Sequence, residues 1–133
     1  LQGKIFGIWG LSFKPGTDDM RDAVSIYFIE TIVKLKGEVS VYDPKAMNNA
    51  KENYFIKLKG VSYCKNKMDV LKNSDALILL TEWPEFRSPD FKAVKSLLKN
   101  PIIFDGRNQF DKYDMKKIGF EYHQIGVPLL EDN

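Results

Sequence analysis

Cysteine, histidine and long apolar runs are almost missing from this sequence of 133 residues. The single cysteine, Cys64, cannot form a disulfide within the chain, which excludes a disulfide-rich miniprotein and favours a reducing compartment. The longest apolar run, residues 76–80, is far shorter than the roughly 20 residues of a membrane helix. Neither a signal peptide nor an initiating methionine is present. We therefore expect a domain excised from a longer cytoplasmic protein, without a membrane partner.

An excess of one charge is missing as well, because 20 lysines and arginines oppose 18 acidic residues for a net charge of +2. The lysines are spread along the chain, which argues against nucleic acid as the main partner. The composition that is present, 44% hydrophobic and 29% charged, is that of an ordinary globular protein. We expect residues 1–133 to form one domain with one core that needs no metal.

Short β-rich runs alternate with helical patterns, which is typical of βαβ units and a parallel sheet. The continuous apolar run of the fourth β-rich segment indicates a strand buried on both faces at the centre of the sheet. We predict an α/β fold: a three-layer, doubly wound, Rossmann-like domain with a mainly parallel sheet of about six strands. The predicted strands are residues 4–9, 38–42, 61–64, 76–81, 102–105 and 120–125.

The predicted helices lie between these strands. The first begins at the N-cap residue types of positions 17–19 and ends at Gly37 as its C-cap, with isoleucines at helical spacing between them. Further helices are predicted at residues 46–54, 68–72, 91–98 and 113–118, with a loop at residues 82–89.

Polar, turn-rich segments follow three of the strands, at residues 12–21, 81–87 and 105–108. Ligands of doubly wound sheets bind outside the carboxyl ends of the strands. If the first and fourth strands are neighbours, these segments come together at the carboxyl ends of the strands. We expect the functional site there.

A dinucleotide site is the first hypothesis for the carboxyl ends of the strands, because Gly7 and Gly10 precede a helix and Asp43 ends the second strand. The G-x-G-x-x-G fingerprint needs its glycines at the strand-to-helix turn, whereas Gly7 lies within the predicted strand. In addition, Asp18 and Asp19 at the predicted helix start would repel a phosphate. Both features argue against NAD binding by this segment.

Three cationic residues are candidate anion ligands. Lys14 lies in a loop bounded by breakers and can reach a phosphate as a point charge, although composition alone favours one more solvated lysine among the many. For Arg21, an ion pair at the helix start is the favoured interpretation. Arg107 follows a strand through Gly106, which permits a bend. It can grip a phosphate bidentately or form a surface pair with Asp105.

The remaining candidates favour structural interpretations. Trp83 and Phe86 are expected to cover the end of the sheet, with base stacking as the alternative. Cys64 has no nearby histidine or second cysteine and is interpreted as a buried thiol rather than a nucleophile. His123 lies in a predicted strand without a recognisable partner. These two residues are too few to hold a metal.

Four motifs carry a resemblance to a known family: GLSFKPGTDDMR at 10–21, VYDP at 41–44, TEWPEF at 81–86 and FDGRN at 104–108. In order and spacing they resemble the C-terminal nucleotide-sugar-binding domain of the UDP-glucose/GDP-mannose dehydrogenase family. Their form is most similar to that in UDP-glucose 6-dehydrogenases. One departure is Val24, where relatives usually carry proline.

The resemblance implies a division of labour within a longer homodimeric enzyme. In the family, an N-terminal Rossmann domain binds NAD and a central helical region carries the catalytic cysteine. The whole enzyme oxidises UDP-glucose to UDP-glucuronate with two NAD, a step toward polysaccharide biosynthesis. Cys64 does not match the motif of the catalytic cysteine, so the isolated chain is expected to be inactive, with no catalytic residue of its own.

Residue by residue, the resemblance places Phe13, Lys14 and Arg107 at the UDP-sugar. Alternatives stay open: a related dehydrogenase acting on GDP-mannose or UDP-N-acetylmannosamine, a non-catalytic nucleotide-binding module, or a structural interaction domain. Six further residues match positions that we expect to be structural or near the site: Asp18, Asp19, Arg21, Thr81, Glu82 and Trp83.

Overall fold

Six parallel strands form one sheet in the computed structural model, which describes residues 1–125. The strand order is β3-β2-β1-β4-β5-β6, and every neighbouring pair is parallel. The predicted α/β, Rossmann-like fold is therefore confirmed. The strands are β1 (Ile5–Trp9), β2 (Glu38–Tyr42), β3 (Val61–Tyr63), β4 (Ala76–Leu79), β5 (Ile102–Asp105) and β6 (Glu121–Gln124).

The first and fourth strands are neighbours at the centre of the sheet, as predicted. Phe6 lies opposite Ala76, and Trp9 lies opposite Leu79. All residues of β4 are buried, which matches its continuous apolar sequence. The chain turns from β1 toward one edge of the sheet and from β4 toward the other, so the loops after β1 and β4 diverge from one point. This is the topological switch point at which such sheets bind ligands.

The helices connect the strands in chain order. Residues 82–89 do not form the predicted loop, because Pro84 begins a short helix at the position where proline is best tolerated. Within residues 1–125, no helix is long and apolar enough to cross a membrane. The helices are α1 (Val24–Lys34), α2 (Met47–Asn49, continued by a π-helical segment at Ala50–Tyr54), a 3₁₀ turn (Asp69–Leu71), α3 (Pro84–Arg87), α4 (Phe91–Leu97) and α5 (Met115–Ile118).

The sheet separates the buried apolar residues into two clusters rather than the single core that we expected. Successive side chains of a strand point to opposite faces, so Ile8 and Trp9 of β1 enter different clusters. The first cluster packs against α1 and α2, for example through Ile29. The second packs against α3, α4 and α5, for example through Phe86 and Met115. These two layers of helices and the sheet make the predicted three layers.

The start of α1 differs from the prediction. The helix begins at Val24, not at positions 17–19, and its N-cap residue, Ala23, makes no side-chain capping bond. The preceding residues form a loop closed on itself, in which the Phe13 N–H donates to the Asp19 carbonyl at 2.7 Å. Asp22 has a left-handed backbone with φ of 58°, which breaks any helix begun earlier.

The end of α1 also differs. Gly37 follows the helix as expected, but the left-handed residue is Lys36, with φ of 71°. The N–H groups of Lys36 and Gly37 donate to the carbonyls of Val33 and Ile32, which is the hydrogen-bond pattern of a Schellman motif. A Cβ at Gly37 would lie 2.8 Å from a methyl carbon of Ile32. The glycine therefore serves close packing here rather than the left-handed turn.

Candidate functional site

The three polar segments meet at the carboxyl ends of the central strands. The Thr81 hydroxyl donates to the Ser12 carbonyl at 2.7 Å, which joins the loop after β1 to the loop after β4. The Gly106 N–H donates to the Leu79 carbonyl at 2.9 Å, which places the loop after β5 beside them. The predicted juxtaposition of these segments is confirmed.

The buried carboxylate of Asp43 fixes the loop after β1. Its Oδ2 accepts hydrogen bonds from the N–H groups of Leu11 and Ser12 at 2.8 and 2.9 Å and from the Ser12 hydroxyl at 2.9 Å. The same oxygen accepts from the Trp83 indole N–H at 3.0 Å. One carboxylate thus links the ends of β1, β2 and β4. The sequence alone does not predict this role of Asp43, although an aspartate at a turn often accepts a hydrogen bond from the backbone two residues further on.

Asp43 and the two glycines all have internal roles, so their geometry does not match that of a dinucleotide site. The other Asp43 oxygen, Oδ1, accepts from the N–H groups of Lys45 and Ala46, both at 2.9 Å. The carboxylate is therefore not available to ribose hydroxyls. A Cβ at Gly7 would lie 2.8 Å from a Val70 methyl carbon, and Gly10, with φ of 99°, leaves no room beside Thr81.

The loop fixed by Asp43 displays Phe13 and Lys14 to solvent. Ser12 is 3% exposed, whereas Phe13, the next residue, is 51% exposed. Lys14 is exposed as well. The backbone thus presents a ring and an ammonium group together from a constrained position.

Asp19 and Arg21 pair with each other in this loop, before the N-cap of α1. The Arg21 Nη2 lies 2.8 Å from the Asp19 Oδ2, and the Arg21 side chain is 83% exposed. The hydrogen bond to Arg21 lowers the pKa of Asp19 to about 2. The expected ion pair exists, but it closes the loop rather than the first turn of α1. Because α1 begins at Val24, Asp18 and Asp19 do not lie at a helix start, contrary to the prediction.

A polar cleft of about 410 Å³ lies beside the loop, lined by Gly16, Thr17, Asp18 and Lys45. The Asp18 carbonyl accepts a hydrogen bond from the Asn49 side-chain amide at 2.8 Å, which ties this part of the loop to α2.

Arg107 pairs with Glu82 and not with the Asp105 side chain. Its Nε and Nη2 lie 3.3 and 3.0 Å from the Glu82 Oε2. The two side chains are 24% and 22% exposed, so this pair is partly shielded from water. The other oxygen, Glu82 Oε1, is buried and has no hydrogen-bond partner among the described residues. The sequence alone does not predict the pairing of Glu82 with Arg107, because the two residues belong to different loops.

Asp105 instead organises the backbone of its own turn. Its carboxylate accepts from the N–H groups of Arg107 and Phe110 at 2.9 and 2.8 Å and from the Tyr122 hydroxyl at 2.8 Å. Burial and the neighbouring Asp105 raise the pKa of Tyr122. The chain bends at Gly106 and Arg107, as expected, and Asn108 follows with a left-handed φ of 54°.

The aromatic residues of the loop after β4 cover the end of the sheet. Phe86 is fully buried and stacks on Trp9 with ring centroids 5.0 Å apart. Trp83 is 8% exposed, and its indole N–H lies between the Ser12 hydroxyl and Asp43. Both side chains are therefore packing groups, and neither presents a face for base stacking.

Cys64 and His123 lie outside the three loops that form the candidate site. Cys64 is partly buried, and burial raises the pKa of its thiol. His123, which we expected to lack a partner, contacts the Glu121 carboxylate at 2.8 Å and stacks on Phe104. In the described part of the chain, no cluster of three or more His, Cys, Asp or Glu side chains has the arrangement of a metal site.

Comparison with known families gives one match over most of the chain. The model of the UDP-glucose/GDP-mannose dehydrogenase family, UDP binding domain, matches residues 7–112. The matched range contains the loop with Phe13 and Lys14 and the turn with Arg107.

Individual relatives agree with this match. UDP-glucose 6-dehydrogenase of Rhizobium meliloti is 37% identical over 128 residues, covering 96% of this chain and 28% of that protein. The solved structure of a UDP-glucose dehydrogenase from Pyrobaculum islandicum superposes with a TM-score of 0.72 at 26% identity, covering 93% of this chain and 26% of the other. A Methanosarcina mazei NDP-N-acetyl-D-galactosaminuronic acid dehydrogenase gives a TM-score of 0.74 at 26% identity, with coverages of 95% and 25%. The chain thus spans little more than a quarter of each relative.

Proposed function

Because the chain belongs to the UDP-glucose/GDP-mannose dehydrogenase family, whose UDP-binding domain it carries, we propose that it holds the UDP part of the substrate in an NAD-dependent UDP-glucose 6-dehydrogenase. In this proposal Phe13, Lys14 and Arg107 contact the nucleotide sugar. The observation that carries it is the loop pinned by Asp43, which displays an exposed ring and ammonium at the switch point of the sheet.

The proposed contribution to catalysis is binding energy far from the reacting carbon. The Lys14 ammonium pairs with a phosphate oxygen as a point charge, and the Arg107 guanidinium offers directed N–H groups to the same diphosphate. Holding the UDP restricts where the C6 alcohol of the glucose can lie. Such positioning can supply several kcal/mol of a reaction barrier.

NAD does not fit the residues of this chain. Both glycines near β1 are in close contact with neighbouring side chains, and Asp43 is fully engaged by backbone and indole donors. We propose that NAD, which accepts hydride in the whole enzyme, binds outside this chain. The catalytic cysteine is placed there too, and the 133-residue chain alone is expected to be inactive. The homodimer, the cytoplasmic location and the role in polysaccharide biosynthesis remain predictions from the family.

Thermal unfolding with and without nucleotide tests the proposal on this chain. A ligand at a hundred times its Kd stabilises the fold by about 2.7 kcal/mol, which raises the Tm by several degrees. We expect this shift with UDP, a smaller shift with UMP, which lacks the second phosphate, and none with NAD.

Two variants test whether Lys14 is responsible for the Tm shift with UDP. Lys14→Ala should weaken UDP binding by about 1.5–3 kcal/mol, the scale of a charge-assisted hydrogen bond, and so reduce the Tm shift. Lys34→Ala, which removes an exposed lysine from the last turn of α1, is the matched control and should leave the shift unchanged. A chain whose Tm responds to no nucleotide, or a Lys14→Ala variant with the full shift, would contradict the proposal.

A related nucleotide-sugar dehydrogenase is the second candidate. The Methanosarcina mazei enzyme superposes as well as the Pyrobaculum islandicum one at the same 26% identity, so the fold does not separate their substrates. Thermal unfolding with GDP tests whether the chain prefers guanine or uracil as the base of the nucleotide. A larger shift with GDP than with UDP would favour a GDP-sugar substrate.

A further inference from the structure

We infer that Glu82 is a positioning residue that holds Arg107 ready for the diphosphate. This inference rests on the UDP site proposed above. Its first support is geometric: one carboxylate oxygen accepts from both the Nε and the Nη2 of Arg107, at 3.3 and 3.0 Å. Both side chains are less than a quarter exposed, so water competes weakly for the pair.

The pair leaves part of the guanidinium available. Within residues 1–125, the hydrogen bonds of Arg107 to Glu82 use Nε and Nη2, and none uses Nη1. A guanidinium can bind a carboxylate along one edge and a phosphate along another, because its five N–H groups lie in one plane. Glu82 therefore orients the free edge of Arg107 without occupying it.

Glu82 is itself fixed relative to Lys14. Its two neighbours anchor the segment: the Thr81 hydroxyl donates to the Ser12 carbonyl, and the Trp83 indole donates to Asp43. Ser12 and Asp43 belong to the network that pins the Phe13–Lys14 loop. The Glu82 carboxylate thus fixes the position of Arg107 relative to the loop that carries Lys14. This lowers the conformational entropy lost when both residues bind one ligand.

Loss of the Glu82 charge and loss of its positioning role predict opposite changes in the affinity for UDP. Removing the Glu82 carboxylate makes the site more positive, so simple electrostatics predicts tighter binding of the UDP anion. Loss of positioning predicts weaker binding, because Arg107 then samples many rotamers. The direction of the change in affinity therefore separates the two.

Calorimetric titration of the chain with UDP measures this direction. We expect Glu82→Ala to weaken UDP binding about tenfold, the scale of one charge-assisted hydrogen bond. Glu82→Gln keeps a neutral acceptor for Arg107 and should stay within about threefold of the wild type. Glu30→Ala removes an equal charge from the exposed side of α1 and should change nothing.

A double-mutant cycle excludes a merely structural role. In an Arg107→Ala background, the Glu82→Ala substitution should have no further effect on UDP affinity, because there is no guanidinium left to hold. A similar loss in both backgrounds, or unchanged or tighter binding in Glu82→Ala, would overturn the inference while leaving the UDP site intact. A wild-type chain that binds no UDP would overturn both.

Discussion

At the scale of single residues, Asp43, which follows β2, accepts hydrogen bonds from three different loops. It is 1% exposed, and all of its partners are backbone N–H groups, one hydroxyl and one indole. Replacing it with alanine would leave several buried donors without an acceptor. Each such orphaned group costs ~1–3 kcal/mol, although the losses are not additive.

We therefore expect Asp43→Ala to lower the free energy of unfolding by about 3–5 kcal/mol, measured by urea denaturation. Asp69→Ala removes a partly exposed carboxylate paired with Lys72 and serves as the control, with a loss below about 1 kcal/mol. A small effect of Asp43→Ala would show that water replaces the carboxylate, and the loop would not then be pinned as described.

The Asp19–Arg21 pair gives a prediction in acid. The pKa of Asp19 is about 2 when folded, below its usual value of 3.8, so the pair stabilises the loop above pH 4. That stabilisation is lost as the pH falls toward 2. Carboxyl ¹³C titration should give a midpoint near 2 in the wild type.

The same titration of Arg21→Ala should move the midpoint of Asp19 back toward 3.8, because the first cause of the shift is the hydrogen bond to Arg21. Arg87→Ala is the control and should leave it near 2. A wild-type midpoint already near 3.8 would mean that the pair is not formed in solution.

At the scale of elements, the start of α1 is the segment where sequence and structure disagree most. Residues 17–19 are good N-cap types, but local hydrogen bonds and the left-handed Asp22 keep them in a loop. Val24 is the first helical residue, and Ala23 before it is extended, with φ of −69° and ψ of 134°. This backbone is what a proline at position 24 requires.

We expect Val24→Pro to be tolerated and to raise the free energy of unfolding by about 0.4–1 kcal/mol, since proline restricts the unfolded chain. Tyr27→Pro, an exposed position inside the same helix, should lower it by about 3 kcal/mol. Thermal or urea unfolding measures both. A destabilised Val24→Pro variant would place the helix start elsewhere.

At the scale of the whole molecule, the sequence predicts the sheet better than it predicts the site. The strands follow from short apolar runs, and the buried run of β4 correctly indicates the centre of the sheet. The contacts that build the site join residues far apart in the chain, such as Ser12 with Thr81 and Glu82 with Arg107. Such pairings depend on strand order and loop shape, which local patterns do not encode.

The candidate ligands are recognised from the family motifs, whereas hydrophobic periodicity does not identify them. Phe13, Lys14 and Arg107 are conspicuous only because they occur within longer segments resembling one family. One local interpretation of these segments is wrong: the guanidinium of Arg107 pairs with Glu82 and not with the Asp105 side chain.

The central pairing of β1 with β4 has a consequence for the order in which the site can form. Phe6 pairs with Ala76, so some 70 residues separate the two strands that carry the first two site loops. Contacts over such distances form late in folding, because a long loop must close first. On the ribosome, Lys14 is made long before Arg107. If Lys14 and Arg107 bind the nucleotide as proposed, a growing chain carries the lysine without the arginine, and it can bind nucleotide only after its last third has been synthesised and has joined the sheet.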